Sequence, residues 1–297
     1  MRICRFEDGH SGERLGVVEN GAVCDVTEVL DELPAVRYPL PRVDPLIANL
    51  HRLRPAMEAR AVTAPRRPLE EVRLLSPVAN PGKIVAAPVN YLKHLEEARA
   101  DAGVHHNTKV EEIRRVGLFL KATSSVVGPS AGVDIRLAER RNDHEVEVAA
   151  VIGRTADRVL KERALEYVAG YCVGLDMTVR GPEERSLRKS VDSFTVLGPW
   201  MVTADSCPPP VDWDLSLEVG GESRQKANTR DLVLTVAELV EWASAFYTLH
   251  PGDVIMTGTP EGVGPVQPGD TITATVQHIG SMTVAVRTAS PPAANRA

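Results

Sequence analysis

Three observations predict a mainly β, α+β fold with a small β-containing domain at its start. Short β-branched runs bounded by turn residues recur along the chain, only two segments carry helical signals, and an Asn-Gly turn joins two early apolar stretches. Residues 15–19 and 22–26 flank Asn20-Gly21, the strongest short hairpin signal. Arginine and proline crowd residues 36–42 and 64–68, a texture that sets the first 75 residues apart. Two prolines and a glycine in Ser76-Pro77-Val78-Ala79-Asn80-Pro81-Gly82 break the periodicity, so the domains are read as 1–75 and 76–288.

Beyond that boundary, strands are expected over residues 83–85, 146–152, 200–202, 215–219, 254–256, 271–276 and 282–286, and an apolar run ending at Asp176 reads as a core strand. One helix is expected from Asn90 to about Ala100, and a second over 235–247, where Thr235 and Glu238 have capping-box spacing. His105-His106 reads as a loop pair, and residues 289–297, closing on Pro291-Pro292-Ala293-Ala294, as a disordered tail.

Composition narrows the function. Of 297 residues, 43% are hydrophobic and 25% charged, which excludes disorder over most of the length. A chain of this size buries a sufficient core without disulfide or metal staples. No apolar run approaches the ~20 residues that span a bilayer, and charges at Arg2, Arg5, Glu7 and Asp8 break up any signal-peptide core, so no membrane partner and no export are expected. With 34 basic against 40 acidic residues and 4% aromatics, the chain repels phosphate backbones and lacks stacking platforms. Nucleic acid is therefore not an expected partner. Cys4, Cys24, Cys172 and Cys207 stand far apart without a C-x-x-C pair and read as reduced thiols of a cytoplasmic protein.

The most informative segment is Asp143-His144-Glu145-Val146-Glu147-Val148, where acidic residues run directly into an apolar strand. Period-2 geometry puts Glu145 and Glu147 on one face. Buried unpaired, they would cost several kcal/mol each, a penalty that a divalent cation removes. Carboxylate oxygens suit magnesium, manganese or calcium. The alternative is an edge strand with a solvated acidic face. Asp176 is a third candidate ligand or a simple turn former, and Arg180 and Lys189 can supply positive charge for an anionic substrate.

Here the sequence resembles the fumarylacetoacetate hydrolase family. The resemblance rests on Glu145-Val146-Glu147 opening an apolar strand, Asp176 with Arg180, Lys189-Ser190 before Gly198-Pro199-Trp200, and Lys121 through Ser124-Ser125 to Gly128-Pro129. Gly221-Glu222 with Gln225, and the long run from Thr248 to Gly264, extend it over roughly residues 76–288. It implies a mixed β-roll, a homodimer, and Glu145, Glu147 and Asp176 as ligands of Mg2+ or Mn2+, with Ca2+ an option and no organic cofactor. A 2-oxo acid chelating that ion would have its carbonyl polarised.

Asn90-Tyr91-Leu92-Lys93-His94-Leu95-Glu96-Glu97 resembles the family's lid, which makes His94 and Glu97 a water-activating dyad; without the family, the two are a solvated pair, and Lys93 with Glu97 an ordinary ion pair. Lys189 is expected to meet a developing oxyanion or the substrate carboxylate, and Thr259 in Thr257-Gly258-Thr259-Pro260 to bind a carboxylate. One departure stands out. Where many members read Arg-Asp-x-Gln, this chain has Arg180-Gly181-Pro182-Glu183, so an acceptor, Glu183, takes the place of an amide donor at the substrate.

The expected activity is a divalent-metal-dependent hydrolysis of a C–C bond in an acylpyruvate or 2,4-diketo acid, in aromatic-compound or sugar-acid catabolism. Alternatives on the same site are an isomerase of 2-hydroxymuconate-type diene acids and a decarboxylase or hydratase of small 2-oxo acids. A non-catalytic oxo-acid binder is the alternative of another class, and it would not need His94. No G-x-S-x-G, H-E-x-x-H or G-x-x-x-x-G-K-[ST] is present.

Overall fold

The computed structural model describes residues 1–9, 12–106 and 109–290; of the expected tail, residues 291–297 lie outside the described residues. Side-chain alternation sets its architecture. In the strand Val146–Ile152, Val146, Val148, Ala150 and Ile152 face one core while Ala149 and Val151 face another, so both faces are covered. Its antiparallel neighbour Val168–Asp176 repeats this, with Tyr171, Val173 and Leu175 in the first core and Cys172 in the second.

These strands are central in a twelve-stranded mixed sheet. On one side follow Val254–Met256, Ile84–Ala86 and Phe119–Lys121; on the other, Thr195–Thr203, Arg2–Glu7, Glu13–Glu19, Ala22–Asp25 and Arg66–Pro68. A five-stranded sheet, ordered Glu222–Asn228, Asp214–Val219, Thr271–Val276, Gly280–Thr288 and Val133–Ile135, turns Leu215, Leu217, Ile272, Ala274 and Val284 onto the first core. A three-stranded sheet of Thr178–Val179, Asn142–His144 and Gly264–Pro265 completes the strand-dominated fold that the sequence predicts.

The Asn20-Gly21 hairpin forms as expected, both residues taking positive φ (48° and 77°) between the paired Glu19 and Ala22. Its neighbour Arg2–Glu7 pairs Ile3 with Met201, joining the hairpin to the central sheet. The sequence reading missed a helix, Pro45–Thr63. Asp44 caps it by accepting the Ile47 N–H at 3.0 Å, and Pro45 sits at the first turn, where a missing N–H costs nothing. Leu46, Leu50, Leu53, Met57 and Ala61 keep helical spacing and cover the second core, whereas Pro55 and the arginines Arg52, Arg54 and Arg60 disguise the pattern.

The two expected helices are present as Leu92–Ala100 and Val236–Phe246, the latter with both halves of its capping box. His105 closes a short helix, Ala102–His105, rather than lying in a loop. Among the described residues, no helix is long and apolar enough to cross a membrane.

Candidate active site

Strand register builds the acidic cluster. Val146 pairs with Leu175 and Glu147 with Gly174, while the Asp176 N–H donates to the Glu145 carbonyl at 2.9 Å, so Glu145 and Asp176 are cross-strand neighbours on one face. Glu147 follows on that face opposite Gly174, where an added Cβ would meet Met256 Cε at 2.7 Å. The result is three buried carboxylates whose nearest oxygens lie within 4.8 Å of one another.

Two of the three have cationic partners. Lys189 Nζ donates to Glu145 Oε2 at 2.6 Å, to Asp176 Oδ2 at 2.7 Å and to Thr178 Oγ1 at 2.7 Å. Arg180 reaches Glu145 Oε1 at 3.0 Å and Asp143 Oδ2 at 2.7 Å. Buried Lys121 donates to Asp176 and to the Phe194 carbonyl. Glu147 differs, because it accepts the Gly258 N–H at 2.7 Å and, among the described residues, has no ion-pair partner.

The ionisation follows this division. Burial pushes the Glu145 carboxyl up, but Lys189 and Arg180 outweigh it and hold the group below the usual carboxylate range. For Glu147, burial and then the Asp176 charge raise it well above that range. Three hard oxygen donors, one without a countercharge, fit a divalent cation such as magnesium or manganese.

The lid helix is pinned at its start. Buried Asn90 donates through Nδ2 to the carbonyls of Leu234 (2.9 Å) and Thr257 (2.8 Å) and accepts the Leu234 N–H at 2.8 Å. One turn on, His94 lines the same cavity as Glu145, Asp176, Arg180, Lys189 and Thr259. Its Nδ1 is 3.0 Å from Glu97 Oε2, and the other Glu97 oxygen accepts the Gly262 N–H at 2.9 Å. An ionised Glu97 therefore holds the imidazole with Nδ1 protonated, leaving Nε2 as the basic nitrogen. Lys93 pairs with Glu261 at 3.5 Å instead of Glu97, so the simple ion pair is not formed.

Thr259 is tied from two sides, donating to the Val146 carbonyl at 2.9 Å and accepting from Gln225 Nε2 at 2.8 Å. Glu183 is not brought in. Arg140 clamps its carboxylate through two bonds of 3.0 and 2.8 Å on the outer surface, and this pairing keeps it off the cavity wall, contrary to the expected place at the substrate. Arg185, Arg188 and Phe119 also line the cavity, none of them expected there, as does His105, which the sequence placed in a loop. The spacing of Arg185, Arg188 and Lys189 at i, i+3 and i+4 was the available signal, since it places all three on one side of the helix Arg185–Lys189.

Residues 83–287 match the family model described as Fumarylacetoacetate (FAA) hydrolase C-terminal, and residues 1–77 the one described as Rv2993c-like, N-terminal. The chain belongs to the fumarylacetoacetate hydrolase family. Within it, the chain is 58% identical over 289 residues to maleylpyruvate hydrolase of Aquipseudomonas alcaligenes, covering 97% of this chain and 99% of that protein. It is also similar to the crystal structure of maleylpyruvate hydrolase from Sphingobium sp. SYK-6 in complex with manganese (II) ion and pyruvate, at 40% identity and a TM-score of 0.81, covering 98% of this chain and all of that one. A 5-carboxymethyl-2-hydroxymuconate delta-isomerase from Mycobacterium smegmatis aligns at 32% identity and a TM-score of 0.71, over 98% of this chain and 100% of that chain.

Proposed function

We propose that this family member hydrolyses the C–C bond between the acyl carbonyl carbon and the methylene of an acylpyruvate, in aromatic-compound catabolism. Maleylpyruvate, the substrate in the names of two relatives, is the first candidate. The observation that carries the reading is the convergence of Glu145, Glu147 and Asp176, two of which share a cavity with His94, itself held by Glu97. The three carboxylates would hold the cation, which supplies Lewis acidity to the oxo-acid end when bound.

The chain's own groups have separate tasks. His94 takes a proton from water through Nε2, and Glu97 fixes the ring and stabilises the imidazolium that forms. The water oxygen bonds to the acyl carbonyl carbon; the C–C bond breaks, its electron pair staying on the methylene carbon, and a proton returns there to give pyruvate and a carboxylic acid. Lys189 already spends its three protons on Glu145, Asp176 and Thr178, so it acts by fixed charge, holding Glu145 ionised and offsetting the field of both carboxylates. Among the described residues Arg180 Nη1 has no hydrogen-bond partner, which leaves it for the oxo-acid carboxylate, and Thr259 lines the same wall.

The alignment with an isomerase keeps isomerisation as a second reading. A continuous assay settles between them. Metal-loaded protein is given acylpyruvates, oxaloacetate and hydroxymuconates, with pyruvate release coupled to lactate dehydrogenase; Glu145→Gln and chelation should abolish the activity. Diene isomerisation without pyruvate release would overturn hydrolysis, and binding without turnover would leave an oxo-acid binder.

The same reading includes a cytoplasmic homodimer with separate domains over 1–75 and 76–288. Four free cysteines and the two family matches, ending at 77 and beginning at 83, support the location and the division. Light scattering on the purified protein tests the dimer.

A further inference from the structure

The cavity holds more positive charge than its carboxylates need. Lys121, Lys189 and Arg180 are all paired with Asp176, Glu145 or Asp143. Arg185 and Arg188 line the same cavity and, among the described residues, form no ion pair with a carboxylate. Arg188 is anchored, its Nε donating to the Glu183 carbonyl at 2.8 Å and its Nη1 to the Val179 carbonyl at 3.3 Å. Arg185 is not anchored: among the described residues its guanidinium donates no hydrogen bond, and it lies over the Phe119 ring at 5.5 Å from the centroid.

The helix Arg185–Lys189 turns this side chain inward, for Leu187 is its outward residue at 66% exposure while Arg185 is half-buried. A guanidinium withdrawn from water without acceptors loses hydration that nothing returns. A carboxylate restores it through two parallel bonds, and the aromatic face below keeps the fork planar and oriented.

We propose that Arg185, with Arg188 beside it, receives a second carboxylate at the far end of the acyl group. The enzyme is thereby selective for dianionic acylpyruvates over those ending in methyl. This assignment rests on the hydrolase reading above and names its substrate class. The cation and Arg180 serve the oxo-acid end that every acylpyruvate shares; the Arg185 site serves only the end that differs.

The test is a two-substrate comparison on manganese-loaded wild type, Arg185→Gln and Arg185→Lys, with maleylpyruvate and acetylpyruvate. Wild type should favour maleylpyruvate in kcat/KM by about tenfold or more. Arg185→Gln should lose about 10- to 100-fold on maleylpyruvate, mostly through KM, the range for removing charge-assisted hydrogen bonds. On acetylpyruvate it should stay within about twofold of wild type, with Arg185→Lys in between. The ratio of the two substrates is internal to one preparation, so partial misfolding does not mimic the result. An equal loss on both substrates, or no loss on either, overturns the assignment while leaving hydrolysis intact. A wild type that cleaves neither overturns hydrolysis and this assignment with it.

Discussion

Gln225 donates a 2.8 Å hydrogen bond to the hydroxyl of Thr259. The same buried side chain donates to the Pro260 carbonyl at 2.9 Å and accepts the Val146 N–H at 3.0 Å. One amide thus fixes both the Thr259 loop and the backbone between the two glutamates.

Gln225→Leu should therefore strand the Val146 N–H and release the loop. A loss of about 1–3 kcal/mol of stability is expected, together with a fall in kcat larger than any rise in KM. Denaturant unfolding and steady-state kinetics check both, and unchanged kcat would show that the loop does not depend on this amide.

His94→Ala should lower kcat by about 10²–10⁴-fold, the usual scale for removing a general base, while manganese still binds with wild-type affinity by calorimetry. Glu97→Gln should cost less, because the base remains and only its orientation and countercharge suffer. If both variants retain full turnover of acylpyruvates, the dyad does not activate water.

As a proposed ligand of the cation, Glu147 should couple metal binding to proton release. Its folded pKa lies above the unfolded value of about 4.3. Between those two values the native metal-free protein binds more protons than the unfolded chain, so its stability falls as pH rises through that window. A cation held by Glu147 would take the place of that proton. Calorimetric titration with manganese in buffers of different ionisation enthalpy should show proton release, and the metal-induced gain in Tm should grow with pH across that range. Loading without proton release would contradict a protonated Glu147.

Thiol chemistry offers a separate check on packing. Burial pushes the Cys4 and Cys172 thiols up to about 12, so at pH 8 both are neutral and shielded. Ellman's reagent should label them only on unfolding, with the half-buried Cys207 reacting first. Prompt labelling of all four in the native protein would place the sheet strands elsewhere.

Glu183→Gln should change kcat/KM by less than about threefold, since its carboxylate is committed to Arg140 on the outer surface. A larger effect with acylpyruvates would mean that this pair opens toward the cavity during turnover.

Local chemistry made much of this legible from the sequence. Asn20-Gly21, the Thr235–Glu238 capping box and the Glu-x-Glu alternation each specify a conformation within a few residues. What escaped depends on distant partners. The Arg140 clamp on Glu183 spans 43 positions, and the pairing of Ile3 with Met201 nearly two hundred. The helix Pro45–Thr63 was hidden differently, because Pro55 and its charged neighbours mask an apolar stripe whose worth appears only when Leu53 and Met57 meet the sheet. Arg185 stands in the basic run Arg185–Lys189, and only the fold turns it over Phe119.

The Arg2–Glu7 strand lies along Thr195–Thr203, the partner of the strand that ends in Asp176. Stripped of the first residues, that border would present open amide and carbonyl groups, an invitation to neighbouring molecules to zip on and aggregate. The amino-terminal hairpin therefore doubles as a guard rail for the catalytic sheet, and shortened versions of the chain should be judged first by whether they stay in solution.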